Sequence, residues 1–314
     1  MVECEFFHKQ AMERLLAIHG VPPADVEVKH MTGTTKIAGD NLKFTYTTPS
    51  REELLSDPNP LLLNHGWFTT GEIYQGLANA VAQRGKSVIT YSRSDRPSLC
   101  DINPLVVVQA AKLMSMDAWA VMRKIKDEMG HKSFDIYGHS LGGRTSVDIA
   151  THKPEYIGSV LLDGSCGLNR YGLRKEIQLL FGEFIPHELL PSIGRLALLN
   201  APQQTAKTIY RAIHSPLRTA AEGIDAGTAN LHEGLQKLSK MGKGRIAIHS
   251  QQDAFFPLEA VRHDSHHLFN IFEVRRDPCS QHIAPITDPE DTADIIISVL
   301  DQIHKRKPEL SLAA

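Results

Sequence analysis

Two kinds of hydrophobic pattern succeed each other along the chain. VEVKHM (26–31) and LKFTYTTP (42–49) alternate apolar and polar residues. That period of two predicts a pair of antiparallel strands with one wet face, near a sheet edge. Further on the alternation gives way to short unbroken apolar runs: PLLLNHG (60–66), KSVITYS (86–92), SFDIYGH (133–139), IGSVLLDG (157–164), GRIAIHS (244–250) and NIFEVRR (270–276). Segments of helical period separate them, near 71–84, 104–129, 143–152 and 290–304. Strands apolar on both sides are covered on both faces, and their alternation with helices implies right-handed crossovers. The predicted fold is α/β, a mostly parallel eight-stranded central sheet flanked by helices. The opening stretch, MVECEFFHKQAMERLLAIHG, reads as an amphipathic helix within residues 1–24.

One interval breaks this rhythm. About 80 residues separate IGSVLLDG from GRIAIHS, far more than a crossover needs. Their composition is helical, punctuated by Pro186, Pro191, Pro202 and Pro216. Residues 167–242 are therefore expected to form a helical cap, inserted after the sixth strand into a core domain made of 25–166 and 243–314. The segment EIQLLFGEFIPHELLPSIGRLALL (176–199) is rich in Leu, Ile and Phe. It can serve as cap core packed on the sheet domain, or part of it can line an apolar pocket.

Composition narrows the classes of function. The chain has 314 residues, 42% of them hydrophobic, enough for a large core. A net charge of −2 offers no basic field for nucleic acid. The one basic run, HKRK (304–307), fits a solvated helix end. Cys4, Cys100, Cys166 and Cys279 are scattered without CxxC or zinc spacing, so reduced thiols are expected. No apolar run approaches the ~20 residues of a membrane span, and the N-terminus lacks the pattern of a signal peptide. The expectation is a soluble cytoplasmic protein without a cofactor; the sequence does not set its oligomeric state.

The chemistry centres on GHSLG, Gly138 to Gly142. A G-x-S-x-G match alone arises by chance in about one chain in ten of this length, so context decides. Here the motif follows an apolar strand and opens a helical segment. A tight strand-to-helix turn places Ser140 in a strained backbone conformation, its hydroxyl exposed above the sheet and the Leu141 amide turned toward developing negative charge.

A serine hydroxyl needs a base, and the base needs an orienting carboxylate. Of the 16 histidines, His282 follows the last strand, just before the C-terminal helix. Asp253 follows the strand GRIAIHS. Both lie at strand C-terminal ends, on Ser140's edge of the sheet, and the order Ser, Asp, His fits. Asp163, which ends the strand after the Ser140 helix, is the alternative carboxylate. His139 is expected to pack near the turn. His263, His266 and His267 cluster without a ligand face for zinc and read as a surface loop or helix end. NHGWFTTG (64–71) follows the first core strand, and its sharp turn can aim the Trp67 amide at Ser140 as a second oxyanion donor.

These motifs resemble the α/β-hydrolase superfamily, and within it a capped serine hydrolase, over residues 25–163 and 244–304. GHSLGG is similar to the elbow of its esterases, lipases and C–C bond hydrolases; HGW resembles its oxyanion turn. The resemblance implies Ser140 as nucleophile, His282 as base, Asp253 as acid, and the Trp67 and Leu141 amides as oxyanion donors. It implies a small apolar ester as substrate, with thioester, lactone, C–C bond and peracid chemistry reachable through the same triad, or a non-catalytic receptor that retains the site. Ser140 stands where haloalkane dehalogenases and epoxide hydrolases carry aspartate, which argues against those reactions. The loop YSRSDRPSLC (91–100) lacks the glycine of many capped members, so the pocket wall near Ser94 and Asp95 is expected to differ.

Overall fold

The structure is a computed structural model that describes residues 26–37, 40–50, 59–67, 69–92, 110–171, 173–179, 182–183, 186–187, 216–275 and 281–311. The expected N-terminal helix, the Ser94–Asp95 wall and most of 176–199 lie outside the described residues.

Eight strands form one sheet: β1 (Val28–Ile37), β2 (Asp40–Pro49), β3 (Leu61–Asn64), β4 (Val88–Ser92), β5 (Phe134–His139), β6 (Ile157–Asp163), β7 (Gly244–Ser250) and β8 (Ile271–Arg275), in the order β1-β2-β4-β3-β5-β6-β7-β8. β2 runs antiparallel to both β1 and β4, and the other pairs are parallel. The period-of-two segments thus make the antiparallel edge, and the apolar runs make the parallel body. Strand β1 is largely exposed and carries exposed lysines, Lys29 and Lys36, one on each face, which discourages edge-to-edge pairing.

Helices cover both faces. They are α1 (Gln75–Gln83), entered through a 3-10 turn at Gly71–Tyr74, α2 (Ala110–Met129), α3 (Leu141–His152), α4 (Leu173–Leu179), α5 (Pro216–Gly227), α6 (His232–Lys240), α7 (Leu258–Ser265), α8 (Ala284–Thr287) and α9 (Pro289–Ser311). Strand pleating sorts the apolar residues into two cores. Leu61, Leu63, Tyr137, Leu161, Ile246 and Ile248 pack with Leu77 and Val81 of α1 and with Ile296, Val299 and Ile303 of α9. Leu62, Ile136, Val160 and Leu162 face the opposite way, against Val121 and Ile125 of α2, Val147 and Ile149 of α3, and Leu235 and Leu238 of α6. The described part of the interval between β6 and β7 contains α4, α5 and α6. None of the described helices is long and apolar enough to cross a membrane.

Parallel register brings the strand ends to one edge. Asn64 pairs with Gly138, His139 with Asp163, Asp163 with Ile248, and Ser250 with Arg275. The loops leaving β3, β5, β6, β7 and β8 therefore emerge side by side, where ligand sites of open α/β sheets form.

Candidate active site

Ser140 occupies the turn between β5 and α3 with φ 54° and ψ −122°, the single non-glycine residue of positive φ among the described residues. Such a conformation persists only where surrounding contacts impose it. The Ser140 amide donates to the Asp163 carbonyl at 3.0 Å, and the Ser140 carbonyl accepts from the Gly143 amide at 3.0 Å and the Cys166 amide at 3.3 Å. The turn is thus tied to its own helix and to the loop after β6. Close approach to β3 explains the following glycine: a Cβ on Gly142 would come within 2.9 Å of the His65 carbonyl oxygen. Asn64 locks the same contact, donating to Ser146 Oγ at 2.8 Å and accepting from Tyr91 Oη at 2.7 Å.

The loops after β7 and β8 meet beside this turn. His282 Nδ1 lies 2.9 Å from Asp253 Oδ2, and the other oxygen of Asp253 accepts the Phe255 and Phe256 amides at 2.9 and 2.7 Å. The carboxylate has only acceptors to offer, so the shared proton belongs to His282 Nδ1 in the neutral ring, leaving Nε2 as the basic atom. Burial pushes the Asp253 carboxyl up, but attraction to the His282 ring and their hydrogen bond outweigh it, and the net shift is below the ordinary carboxylate value. Phe255 and Phe256 meet the His282 ring edge-on, with centroids at 5.6 and 5.3 Å. Ser140, Asp253 and His282 are only 5%, 4% and 4% exposed, so the low-dielectric setting strengthens their electrostatics. Ser140, expected with its hydroxyl exposed above the sheet, is instead buried, because the loops after β3, β6, β7 and β8 close around the turn.

Asp163 is engaged elsewhere. Its Oδ1 accepts from Arg275 Nη1 at 2.7 Å, and its Oδ2 accepts from Arg275 Nη2 and from Tyr137 Oη. Burial alone would raise its pKa, but the Arg275 guanidinium holds it below the usual carboxylate range. Both ions are buried, which a two-pronged, hydrogen-bonded pair tolerates.

The turn that carries Trp67 presses on the serine turn: a Cβ on Gly66 would lie 3.2 Å from Ser140 Cβ and from His139 Nδ1. The Gly66 carbonyl accepts from Thr69 Oγ1 at 2.8 Å, which holds the bend. Trp67 packs against the apolar core, and a Cβ on Gly223 of α5 would come within 2.9 Å of its indole. Arg144 of α3 and Asp225 of α5 pair at 2.7 Å. Helix α5 thus touches the Trp67 side chain and is tied to the first turn of α3. His263, by contrast, pairs with Asp264 at 2.9 Å on the surface, and no group of three or more metal-capable side chains exists among the described residues.

Three neighbours of the site were not foreseen: Tyr74, His249 and Arg275. His249 Nε2–H donates to the Phe256 carbonyl at 2.6 Å and so braces the Asp253 loop. Arg275 carried one available signal, a cation closing an apolar strand at the site's edge. Tyr74 sits inside a helical-period segment, where nothing local distinguishes it from core.

Comparison with known proteins agrees with this architecture. The family model of the alpha/beta hydrolase fold matches residues 59–289. The chain belongs to that family, and membership supports a hydrolase. No curated protein matches. Among solved structures, it is similar to a proline iminopeptidase from Mycobacterium smegmatis at 15% identity and TM-score 0.63, covering 87% of this chain and 98% of that one. An esterase from Thermogutta terrifontis aligns at 17% identity and TM-score 0.59, over 88% of this chain and 99% of that one. A bromoperoxidase from Bacillus anthracis aligns at 16% and 0.58, over 86% and 100%. Identities this low speak for the shared fold alone.

Proposed function

We propose that this protein is a serine hydrolase that cleaves carboxylic esters of apolar small molecules through an acyl-enzyme. The observation that carries the reading is a strained serine at the strand-to-helix turn, next in sequence to a histidine that bonds the backbone of the buried, carboxylate-paired His282. Ser140 Oγ attacks the ester carbonyl and gives its proton to His282 Nε2. Asp253 holds the ring by Nδ1–H and stabilises the imidazolium. The Leu141 and Trp67 amides receive the oxyanion, each worth on the order of 3–4 kcal/mol. His282 then protonates the leaving alkoxide, and water activated by the same imidazole releases the acid. Asp253 is preferred to Asp163 because both oxygens of Asp163 are committed to Arg275 and Tyr137. The contact of α5 with Trp67 supports the reading that the cap roofs an apolar acyl site.

A panel of p-nitrophenyl esters tests this, with an amide and a peracid-forming assay beside it because the fold neighbours include a peptidase and a peroxidase. Wild type should turn over the esters, and Ser140→Ala should lose at least about 10³-fold. A fluorophosphonate should modify Ser140. Asp253→Asn should lower kcat by roughly 10³–10⁴-fold with the fold intact, whereas Asp163→Asn should act chiefly by destabilising the protein around the unpaired Arg275. Equal ester turnover by wild type and Ser140→Ala would refute the proposal.

A further inference from the structure

His139 precedes the candidate nucleophile and is buried, and its two ring nitrogens face two different elements. Nε2 lies 2.7 Å from the His282 carbonyl oxygen. Nδ1 lies 2.5 Å from Tyr74 Oη. Tyr74 Oη in turn accepts from the Gly66 amide at 3.3 Å.

Only one arrangement of protons satisfies this chain. A carbonyl can only accept, so Nε2 of His139 carries the hydrogen. In the neutral ring Nδ1 is then an acceptor, so Tyr74 Oη–H donates to it. The lone pairs of Tyr74 Oη remain for the Gly66 N–H. Donation runs one way, from the Trp67 turn through Tyr74 and His139 to the backbone of His282. It links three elements that sequence separates widely, and all three flank Ser140.

We propose that His139 and Tyr74 are positioning residues: their neutral relay holds the general base and the oxyanion turn in one fixed geometry around Ser140. The inference rests on the ester-hydrolase reading for its kinetic consequences, though not for its proton placement. A second proton on His139 would put an N–H against Tyr74 Oη at the point where Nδ1 now accepts the tyrosine proton. It would also set a cation beside His282, whose ring centroid is 4.9 Å away and which itself becomes cationic in the reaction. The charged and titratable groups around His139 are His282, Asp163 of β6, Arg275 of β8 and Tyr74. Burial first, then the neighbouring His282, lower the His139 pKa to about 4, against the pull of Asp163. The ring therefore stays neutral across the working range of an imidazole base.

Two measurements on the full chain test this. In protein labelled with ¹⁵N-histidine, His139 should show the neutral Nε2–H tautomer throughout pH 5–8, a range chosen around the ~6.5 of a free imidazole. The Nδ1–H tautomer, or protonation within that range, overturns the inference whatever the protein's activity. In kinetics well below the melting temperature, Tyr74→Phe and His139→Leu should each lower kcat on a p-nitrophenyl ester by about 10- to 100-fold, with KM changed by no more than about twofold. His139→Gln, which keeps a neutral donor toward the carbonyl, should recover part of the loss. Folded Tyr74→Phe protein with unaltered kcat overturns the inference, and that variant stands even where His139→Leu does not fold. Wild type inactive on every ester would defeat the functional reading alone, leaving the tautomer to decide this one.

Discussion

At residue scale, the backbone of Ser140 is the most informative feature. Its φ of 54° is one that a β-carbon disfavours, at a cost of about 1–3 kcal/mol. The strain gives a direct prediction. Ser140→Gly should be more stable than Ser140→Ala by about 1 kcal/mol in chemical denaturation, because glycine accepts positive φ without penalty. Equal stabilities would mean the turn is relaxed. This residue was legible in the sequence, since G-x-S-x-G after an apolar run and before a helical one already specifies the bend. His282 was legible by position, as the histidine after the last strand. The carboxylate was legible only as a preference for Asp253 over Asp163, because both end or follow strands on the same edge. Arg275 separates them, and its guanidinium reaches Asp163 across 112 residues of sequence. No local pattern encodes that pairing.

At the scale of elements, the opposite edge of the sheet carries its own buried ion pair. Lys86, just before β4, extends its ammonium beneath the sheet to Asp135 of β5 at 2.9 Å and to the Asn59 carbonyl at 2.9 Å. His304 of α9 lies 3.7 Å from the same carboxylate. Three strands and a helix are thereby joined at one point. Burial raises the Asp135 pKa, but Lys86 and His304, by charge and hydrogen bonding together, outweigh it and bring it to about 2. This carboxylate's stabilisation is thus complete above the ordinary value near 3.8 and is lost as pH falls through about 2. Asp135→Asn should destabilise the fold by about 3–5 kcal/mol, leaving Lys86 buried without its counter-charge. Replacing both with apolar residues, as in Lys86→Met with Asp135→Leu, should recover most of that in urea unfolding. The sequence showed the strand KSVITYS well enough; it could not show that the lysine opening it turns under the sheet, because the partner comes from a strand not adjacent in the chain.

At the scale of the whole molecule, two helical layers on one sheet bury a set of neutral histidines, and acid sensitivity follows. His139 is lowered to about 4 by burial and by His282, and burial also lowers His249. In the unfolded chain these rings bind protons near the ~6.5 of a free imidazole. Between the two values the unfolded state holds more protons, so stability decreases as pH falls from about 6.5 toward 4 and this contribution changes no further below that. His139 alone contributes on the order of 3 kcal/mol to that slope. Urea midpoints measured from pH 7 to pH 4 should drop in wild type and drop less steeply in His139→Gln; parallel curves would show that the ring is not held neutral. The order of strands and helices, the antiparallel edge, and the placement of Ser140, Asp253 and His282 at one end of the sheet were determined by the sequence itself, because hydrophobic period and turn composition are local properties and parallel crossovers then dictate which ends align. Tertiary structure separated the preferred Asp253 from the alternative Asp163, and it alone decided which nitrogen of His139 carries the proton and which cations are buried. Those depend on distances of a few ångströms between strands far apart in the chain, set by packing and register, and hydrogen-bond energies change over that range.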